Sequence, residues 1–132
     1  MTAPPLTHHD LYERCVQSPR HISPFIDAIY GEPCRVLGED FAGTAALSHD
    51  WVSRGDKRCA IATDVDAEAL AYRRGDADHP RLTRHAADVM SVDTPCDALY
   101  VGNFSIGYWL TRAYLVAYLK HALVRLRASR ER

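Results

Sequence analysis

The chain has 132 residues, of which 47% are apolar and 25% are charged, and its formal net charge is −1. This length and composition predict one globular domain, and the balance of 16 basic against 17 acidic residues gives no electrostatic basis for binding nucleic acid. No apolar run reaches the length of a membrane span, and the N-terminus MTAPPLTHHD lacks a secretory signal, so we expect a cytoplasmic protein with no membrane partner.

The first predicted elements are two helices, which form a lead-in over residues 1–34. Thr7 and Asp10 have the spacing of a capping box, which predicts a helix over 7–17. Ser23 and Pro24 favour a second helix with Ser23 as its N-cap, and Gly31 is a typical terminator. We expect this lead-in to act as a lid.

Strands and helices then alternate along the chain. Strands are predicted over 35–39, 58–63, 82–87 and 97–102, where the sequence has short apolar runs. Helices are predicted over 44–54, before Gly55, over 67–74, after the N-cap Asp66 and before Gly75, and over 111–126. The last helix has a leucine stripe at helical spacing, consisting of Leu115, Leu119, Leu123 and Leu126. This alternation predicts an α/β fold with a parallel sheet.

Each predicted strand ends in a polar side chain. Glu39 and Asp40 end the first strand, and Asp64, Asp88 and Asn103 end the next three. In doubly wound sheets, ligands bind beyond these carboxyl ends. A single acid at the end of one strand is as readily a helix cap. Polar side chains at the ends of four successive strands favour a binding edge.

The turn after the first strand, within VLGEDFAGTAALS at 36–48, contains one glycine, Gly43. Asp64 follows it by about 20 residues, the spacing of an acid that accepts hydrogen bonds from a ribose diol. The G-x-G-x-x-G fingerprint of dinucleotide sites is absent, which disfavours a nicotinamide enzyme. Glu39 and Asp40 would repel a pyrophosphate and favour a cationic or zwitterionic group. These features point to S-adenosylmethionine.

The segments VLGEDFAGTAALS, CAIATDVDAEAL, AADVM and DALYVGNFSIGYW, in this order, resemble the class I S-adenosylmethionine-dependent methyltransferases. The resemblance covers roughly 11–120 and is closest to a bacterial subgroup with the first motif EDFxGTxxLS; LYERCVQSPRH is similar to its N-terminal helix. It implies a Rossmann-like sheet in the order 3-2-1-4. The usual last three strands would be missing, so we expect a C-terminally truncated domain.

The resemblance also implies roles for individual residues. Glu39 would hold the aminoacyl end of the cofactor, Gly43 would bring the backbone close to it, Asp64 would bind the ribose, and Asp88 would accept from the adenine amino group. The complete predicted cofactor-binding set is Glu39, Asp40, Phe41, Gly43, Thr44, Asp64, Val65, Asp88, Val89 and Asn103.

Asn103 and Tyr108 are the predicted catalytic residues, facing the transferable methyl group, and Tyr12, Tyr108 and Trp109 are the predicted acceptor contacts. The simpler alternative is that the rings of Tyr12, Tyr108 and Trp109 only pack against other protein side chains and contact no acceptor. The run Asn-Phe-Ser-Ile-Gly-Tyr at 103–108 is not the Asn-Pro-Pro-Tyr box of many amino-nitrogen methyltransferases. A small-molecule acceptor is therefore favoured over DNA or protein.

The turn departs from the family pattern, because Phe41 and Ala45 occupy two of its three glycine positions. A bulky residue is strained wherever φ must be positive. An alternative function is a non-catalytic remnant that binds a partner through the exposed edge of the fourth strand, and the same edge makes a homodimer possible. The cysteines and histidines form no metal-ligand pattern, so we expect reduced thiols and no metal.

Overall fold

The computed structural model describes residues 2–16, 19–31, 34–72 and 79–130. Its centre is a parallel four-stranded sheet in the order β3-β2-β1-β4, which confirms the predicted α/β fold and strand order. Val36 lies opposite Cys59 on β2, and Leu37 lies opposite Ala98 on β4. The strands are β1 Val36–Asp40, β2 Cys59–Asp64, β3 Leu82–Ala86 and β4 Ala98–Val101.

Five α-helices surround the sheet in the described part of the chain. They are α1 His8–Cys15, α2 Ile22–Tyr30, α3 Ala46–Ser53, α4 Ala67–Ala71 and α5 Arg112–Arg130. Short 3-10 turns lie at Pro19–His21, Val89–Ser91 and Ser105–Tyr108. Gln17 and residues 73–78, where helix ends were predicted, lie outside the described residues.

The helix caps agree with the sequence at two sites and differ at one. Thr7 and Asp10 form the predicted capping box, and the Asp66 side chain accepts from the N–H of Ala69. The prediction that Ser23 is an N-cap is wrong, because α2 begins at Ile22, so His21 is the N-cap and Ser23 lies within the helix. Ser23 is instead buried, and its hydroxyl donates to Asp50 on α3 at 2.6 Å, which ties the two helices together.

The apolar core lies between the sheet and α2 and α3. Trp51 of α3 is its largest fully buried side chain, packed in one cluster with Leu37 and Leu47. The Trp51 indole N–H donates to the carbonyl of Arg35 at 3.2 Å, so the ring buries no unpaired donor. This packing fixes the start of α3, and hence the turn that precedes it, against the end of β1.

The opposite face of the sheet carries α5, which does not pack through its predicted leucine stripe. Leu119 and Leu123 are 51% and 44% exposed. The residues that α5 buries are Tyr118, Ala122, Arg125 and Ser129. Two of them, Tyr118 and Arg125, face the sheet because the buried carboxylate of Asp40 lies beneath them and requires hydrogen-bond partners.

No helix in the described ranges combines the length and apolar character of a membrane span, and no group of three or more potential metal ligands occurs there. All four cysteines are free thiols. Burial raises the pKa of Cys34 to about 12 and that of Cys96 to about 11, so these two thiols are neutral and unreactive at neutral pH.

Candidate cofactor site

The turn between β1 and α3 keeps a glycine-like backbone with a single glycine. Phe41, Gly43 and Ala45 have φ values of 57°, 58° and 59°, all in the left-handed region. The Ala42 N–H donates to the carbonyl of Thr63 at 3.0 Å, which folds the turn back over the end of β2. All three of these positions have a positive φ, so the two residues that are not glycine, Phe41 and Ala45, are strained.

Replacing Ala45 with glycine tests that strain. We expect Ala45→Gly to change stability by less than about 0.5 kcal/mol, because glycine adopts the positive φ without a steric penalty, and this relief offsets the loss of a fully buried methyl group. Ala46→Gly, inside α3, is the matched control and is expected to destabilise by roughly 1 kcal/mol. Urea denaturation measures both changes. Equal destabilisation by the two variants would contradict the strained turn.

Gly43 and Asp64, paired by their spacing in the sequence, are in direct contact. The Gly43 N–H donates to Asp64 Oδ2 at 2.8 Å, and the Asp66 N–H donates to Asp64 Oδ1 at 2.8 Å. These two bonds orient the carboxylate at the end of β2. Each carboxylate oxygen can accept a second hydrogen bond. The half-buried group is therefore oriented and retains the capacity to bind a diol.

A small cleft lies at the ends of β1, β2 and β3, and Phe41 and Val65 form part of its lining. Val65 on its wall is 76% exposed, so its side chain offers apolar surface to a ligand. Asp88 lies in the same cleft, where Oδ1 accepts from the Met90 N–H at 2.8 Å. An apolar slot with a carboxylate in its lining matches a flat heterocycle that carries an amino group. The lining residues are Phe41, Val65, Ala87, Asp88, Val89, Tyr108 and Trp109.

A second small cavity lies on the other side of β1 and contains Glu39. This carboxylate is only 2% exposed, and Oε2 accepts from the Ser48 N–H at 2.9 Å and from its hydroxyl at 2.5 Å. Glu39 thus replaces the missing side-chain cap of α3, since Ala45 stands at the N-cap position. The cavity is otherwise mostly apolar, and its lining is Val16, Pro19, Ile22, Glu39, Leu47, Tyr100 and Asn103.

Asp40 was predicted to bind the cofactor, but the structure places its carboxylate in a buried cluster under α5. The Tyr118 hydroxyl donates to Oδ2 at 2.6 Å, and Arg125 Nη1 lies 3.1 and 3.2 Å from the two oxygens. All three side chains are at most 1% exposed. Burial and the bond to Asp40 raise the pKa of Tyr118 above its ordinary value. The geometry gives Asp40 the role of anchoring α5.

The lead-in helix α1 contacts the turn through a residue that the sequence did not indicate. Glu13 is 9% exposed and accepts from the Thr44 hydroxyl at 2.5 Å. At the start of α1, the Tyr72 hydroxyl bonds to Asp10 and lies 3.1 Å from that of Thr7. No spacing rule links Glu13 to Thr44, since the contact depends on how α1 packs across the turn.

The loop after β4 brings the predicted catalytic residues to the same end of the sheet. Asn103 and Phe104 have positive φ values of 55° and 61°, and Phe104 is 96% exposed. Two successive left-handed residues are a strained arrangement typical of functional loops. Tyr108 is 66% exposed, and Trp109 stacks on Tyr118 with ring centres 5.2 Å apart. Trp109 is thus a packing residue that also lines the cleft.

Tyr12, the remaining predicted acceptor residue, lies on α1 and is 42% exposed. It does not belong to the lining of either cavity described above. The structure therefore brings most of the predicted set to one end of the sheet, with Asp40 turned to the opposite face and Tyr12 on the covering helix.

No protein-family model and no curated protein matches this chain. Solved structures match it well. The sugar N-methyltransferase KedS8 from a Streptoalloteichus species has a TM-score of 0.68 at 19% identity, over 92% of this chain and 50% of that one. CalS10, an amino pentose methyltransferase from Micromonospora echinaspora solved with bound SAM, has a TM-score of 0.69 at 16% identity, over 92% of this chain and 52% of that one.

The magnesium protoporphyrin IX methyltransferase ChlM from Synechocystis, also solved with bound SAM, matches with a TM-score of 0.62 at 13% identity, over 91% of this chain and 59% of that one. The chain thus spans little more than half of the length of these structures. At such identities the likeness establishes the fold. This chain shares the fold of these three methyltransferases over about half of their length.

Proposed function

We propose that this chain is the cofactor-binding part of an S-adenosylmethionine-dependent methyltransferase. The observation that carries the proposal is the 2.8 Å bond from the Gly43 N–H to Asp64, which sets an oriented carboxylate beside a glycine-like turn. The neighbouring cleft supports it, because its apolar lining and the Asp88 carboxylate suit an adenine. Solved structures of the same fold, among them CalS10, contain this cofactor.

In this proposal each part of the cofactor has a protein partner. Asp64 accepts hydrogen bonds from the ribose hydroxyls, and a charged acceptor makes these bonds strong. Val65 packs against the adenine, and Asp88 accepts from its amino group, with Val89 beside it. Glu39 attracts the aminoacyl ammonium group.

The acceptor is proposed to be a small molecule bound between α1 and the loop after β4. The sulfonium of the bound cofactor supplies an activated methyl group, so the protein need only align the nucleophile with it. Asn103 and Tyr108 are the proposed residues at this place, and Tyr12 is proposed to contact the acceptor from α1. The acceptors named for three of the matching structures, a sugar, an amino pentose and magnesium protoporphyrin IX, are small molecules, whereas a fourth structure is named a putative RNA methyltransferase.

Isothermal titration calorimetry with S-adenosylhomocysteine, S-adenosylmethionine and NAD tests the proposal. We expect saturable binding of the first two ligands at one site and none of NAD, because the charge of Glu39 disfavours a pyrophosphate and the turn lacks the G-x-G-x-x-G fingerprint. Circular dichroism on the same sample shows whether the protein is folded. A folded protein that releases no binding heat with either adenosyl ligand would contradict the proposal.

A second candidate function is partner binding through the open edge of β4, without catalysis. The observation that favours it is that β4 pairs only with β1 within the described residues. Two results together would favour this second function over the first: the protein binds the cofactor but transfers no methyl group, and it forms a stable complex with a protein partner through the β4 edge.

A further inference from the structure

Polar contacts hold helix α1 on the domain. Glu13 is the only buried residue within His8–Cys15, and the apolar side chains of Leu11 and Tyr12 are 49% and 42% exposed. Amphipathic helices usually dock through an apolar stripe that is removed from water, and α1 buries no apolar side chain in this way. Its docking therefore depends on a small number of hydrogen bonds, which makes α1 an element that can open locally.

The second half of α1 contacts the turn between β1 and α3. Thr44 in this turn is 1% exposed, and its hydroxyl donates to Glu13 Oε1 at 2.5 Å. Thr44 directly follows Gly43, whose N–H donates to Asp64 Oδ2 at 2.8 Å. A displacement of Thr44 would therefore move the donor that orients the proposed ribose carboxylate.

The first half of α1 contacts the other segment that orients Asp64. The Tyr72 hydroxyl donates to Asp10 Oδ1, and the ring centres of His9 and Tyr72 lie 4.9 Å apart. Tyr72 is the C-cap of α4, whose N-cap is Asp66, and the Asp66 N–H donates to Asp64 Oδ1 at 2.8 Å. Helix α1 thus bridges the two segments whose backbone donors orient the Asp64 carboxylate.

The buried carboxylate of Glu13 makes the docking of α1 depend on the shape of the turn. Removing a carboxylate from water costs free energy unless hydrogen-bond donors replace the water. The Thr44 hydroxyl is such a donor, and the observed backbone of the turn places it against Glu13. On either side of Thr44, Gly43 and Ala45 have φ values of 58° and 59°. A distortion of this backbone would therefore weaken the docking of α1.

We propose that Glu13 is a positioning residue that couples the docking of α1 to cofactor binding. This coupling rests on the proposed function, because it requires Asp64 to bind the ribose. A cofactor bound to Asp64 holds the turn in the conformation that satisfies Glu13, and docked α1 holds Asp64 in the orientation that the ribose requires. The coupling is reciprocal, since each event favours the other by the same factor. Tyr12 lies on the same helix, so the cofactor also orders the side of the site proposed for the acceptor.

Hydrogen exchange measured by mass spectrometry, with and without saturating S-adenosylhomocysteine, tests the coupling. We expect the ligand to slow the exchange of the α1 amides about 10-fold, which lies within the usual range of coupling between two sites. The amides of 122–130, in the second half of α5, should not change and serve as the internal control. Calorimetry on the same sample measures binding. Bound ligand with unchanged α1 exchange would overturn the coupling and leave the proposed function standing, whereas a folded protein without binding heat would contradict both.

Three variants test Glu13 itself. Glu13→Ala removes the acceptor, so it should weaken S-adenosylhomocysteine binding about 10-fold and abolish the protection of α1 by the ligand. Glu13→Gln keeps an oxygen that accepts from Thr44 and should restore the affinity to within about threefold of the wild-type value. Cys15→Ala changes an exposed residue of the same helix and should bind like the wild-type protein. Equal affinities of Glu13→Ala and Cys15→Ala, with both proteins folded by circular dichroism, would overturn the positioning role.

A double-mutant cycle shows whether Glu13 acts through Thr44. Thr44→Val keeps the shape of the side chain without its hydroxyl, and we expect it to weaken binding as much as Glu13→Ala does. The double variant should then bind no more weakly than either single variant, because both changes break the same hydrogen bond. Losses of affinity that multiply in the double variant would mean that the two residues act independently, and would overturn the proposed coupling through the turn.

Discussion

Arg125→Met should destabilise the fold by about 3–5 kcal/mol, because it leaves the buried Asp40 carboxylate without its charge partner. Arg125 is fully buried, and Nη1 lies 3.1 Å from Asp40 Oδ1. Arg125 Nε also donates to the carbonyl of Thr94 at 3.0 Å, so the substitution removes this hydrogen bond as well. Urea denaturation monitored by circular dichroism measures the loss of stability relative to the wild-type protein.

Two further variants separate the charge effect from general damage to α5. Arg127→Met changes an exposed arginine on the same helix and should alter stability by at most about 0.5 kcal/mol. Asp40→Asn combined with Arg125→Met removes both charges and should recover part of the loss. If Arg125→Met costs no more than Arg127→Met, the buried cluster does not anchor α5.

Asp64→Asn should weaken S-adenosylhomocysteine binding by about 10- to 100-fold. The change keeps the shape of the side chain but removes the charge that strengthens hydrogen bonds from a ribose diol, worth roughly 1.5–3 kcal/mol. Isothermal titration calorimetry gives the two dissociation constants. The Gly43 N–H can still donate to the remaining oxygen, whereas the Asp66 N–H loses its acceptor, so the stability of the variant is measured together with its affinity.

Asp93→Asn is the matched control, since Asp93 is an exposed acid in the same connection between β3 and β4 that carries Asp88. It should bind S-adenosylhomocysteine like the wild-type protein. Urea denaturation of both variants shows whether stability has changed. Equal affinities for the two variants, both folded, would exclude Asp64 as the ribose ligand.

The fold was predictable because its determinants are local. Short apolar runs that end in acids, and helix signals such as the Thr7–Asp10 capping box and the Asp66 N-cap, predicted the elements and their order. The contact between Gly43 and Asp64 was predictable for the same reason, as the ends of neighbouring parallel strands meet.

The other contacts depend on packing between distant parts of the chain. The leucine stripe indicated one face of α5, but the buried Asp40 required Tyr118 and Arg125, 78 and 85 residues away, to face the sheet instead. Nothing in the sequence distinguishes Arg125 from the other three arginines of α5, and hydropathy treats all four as exposed. Glu13 reaches Thr44 only because α1 crosses the turn, which no local pattern encodes.

The most direct test of the central claim, that the carboxyl ends of β1, β2 and β3 form one cofactor site, is an NMR titration of the labelled protein with S-adenosylhomocysteine. We expect the largest amide shifts at Gly43, Val65 and Val89, which lie beside the turn and the cleft. Unshifted amides at these positions in a folded protein, or shifts confined to α5, would contradict it.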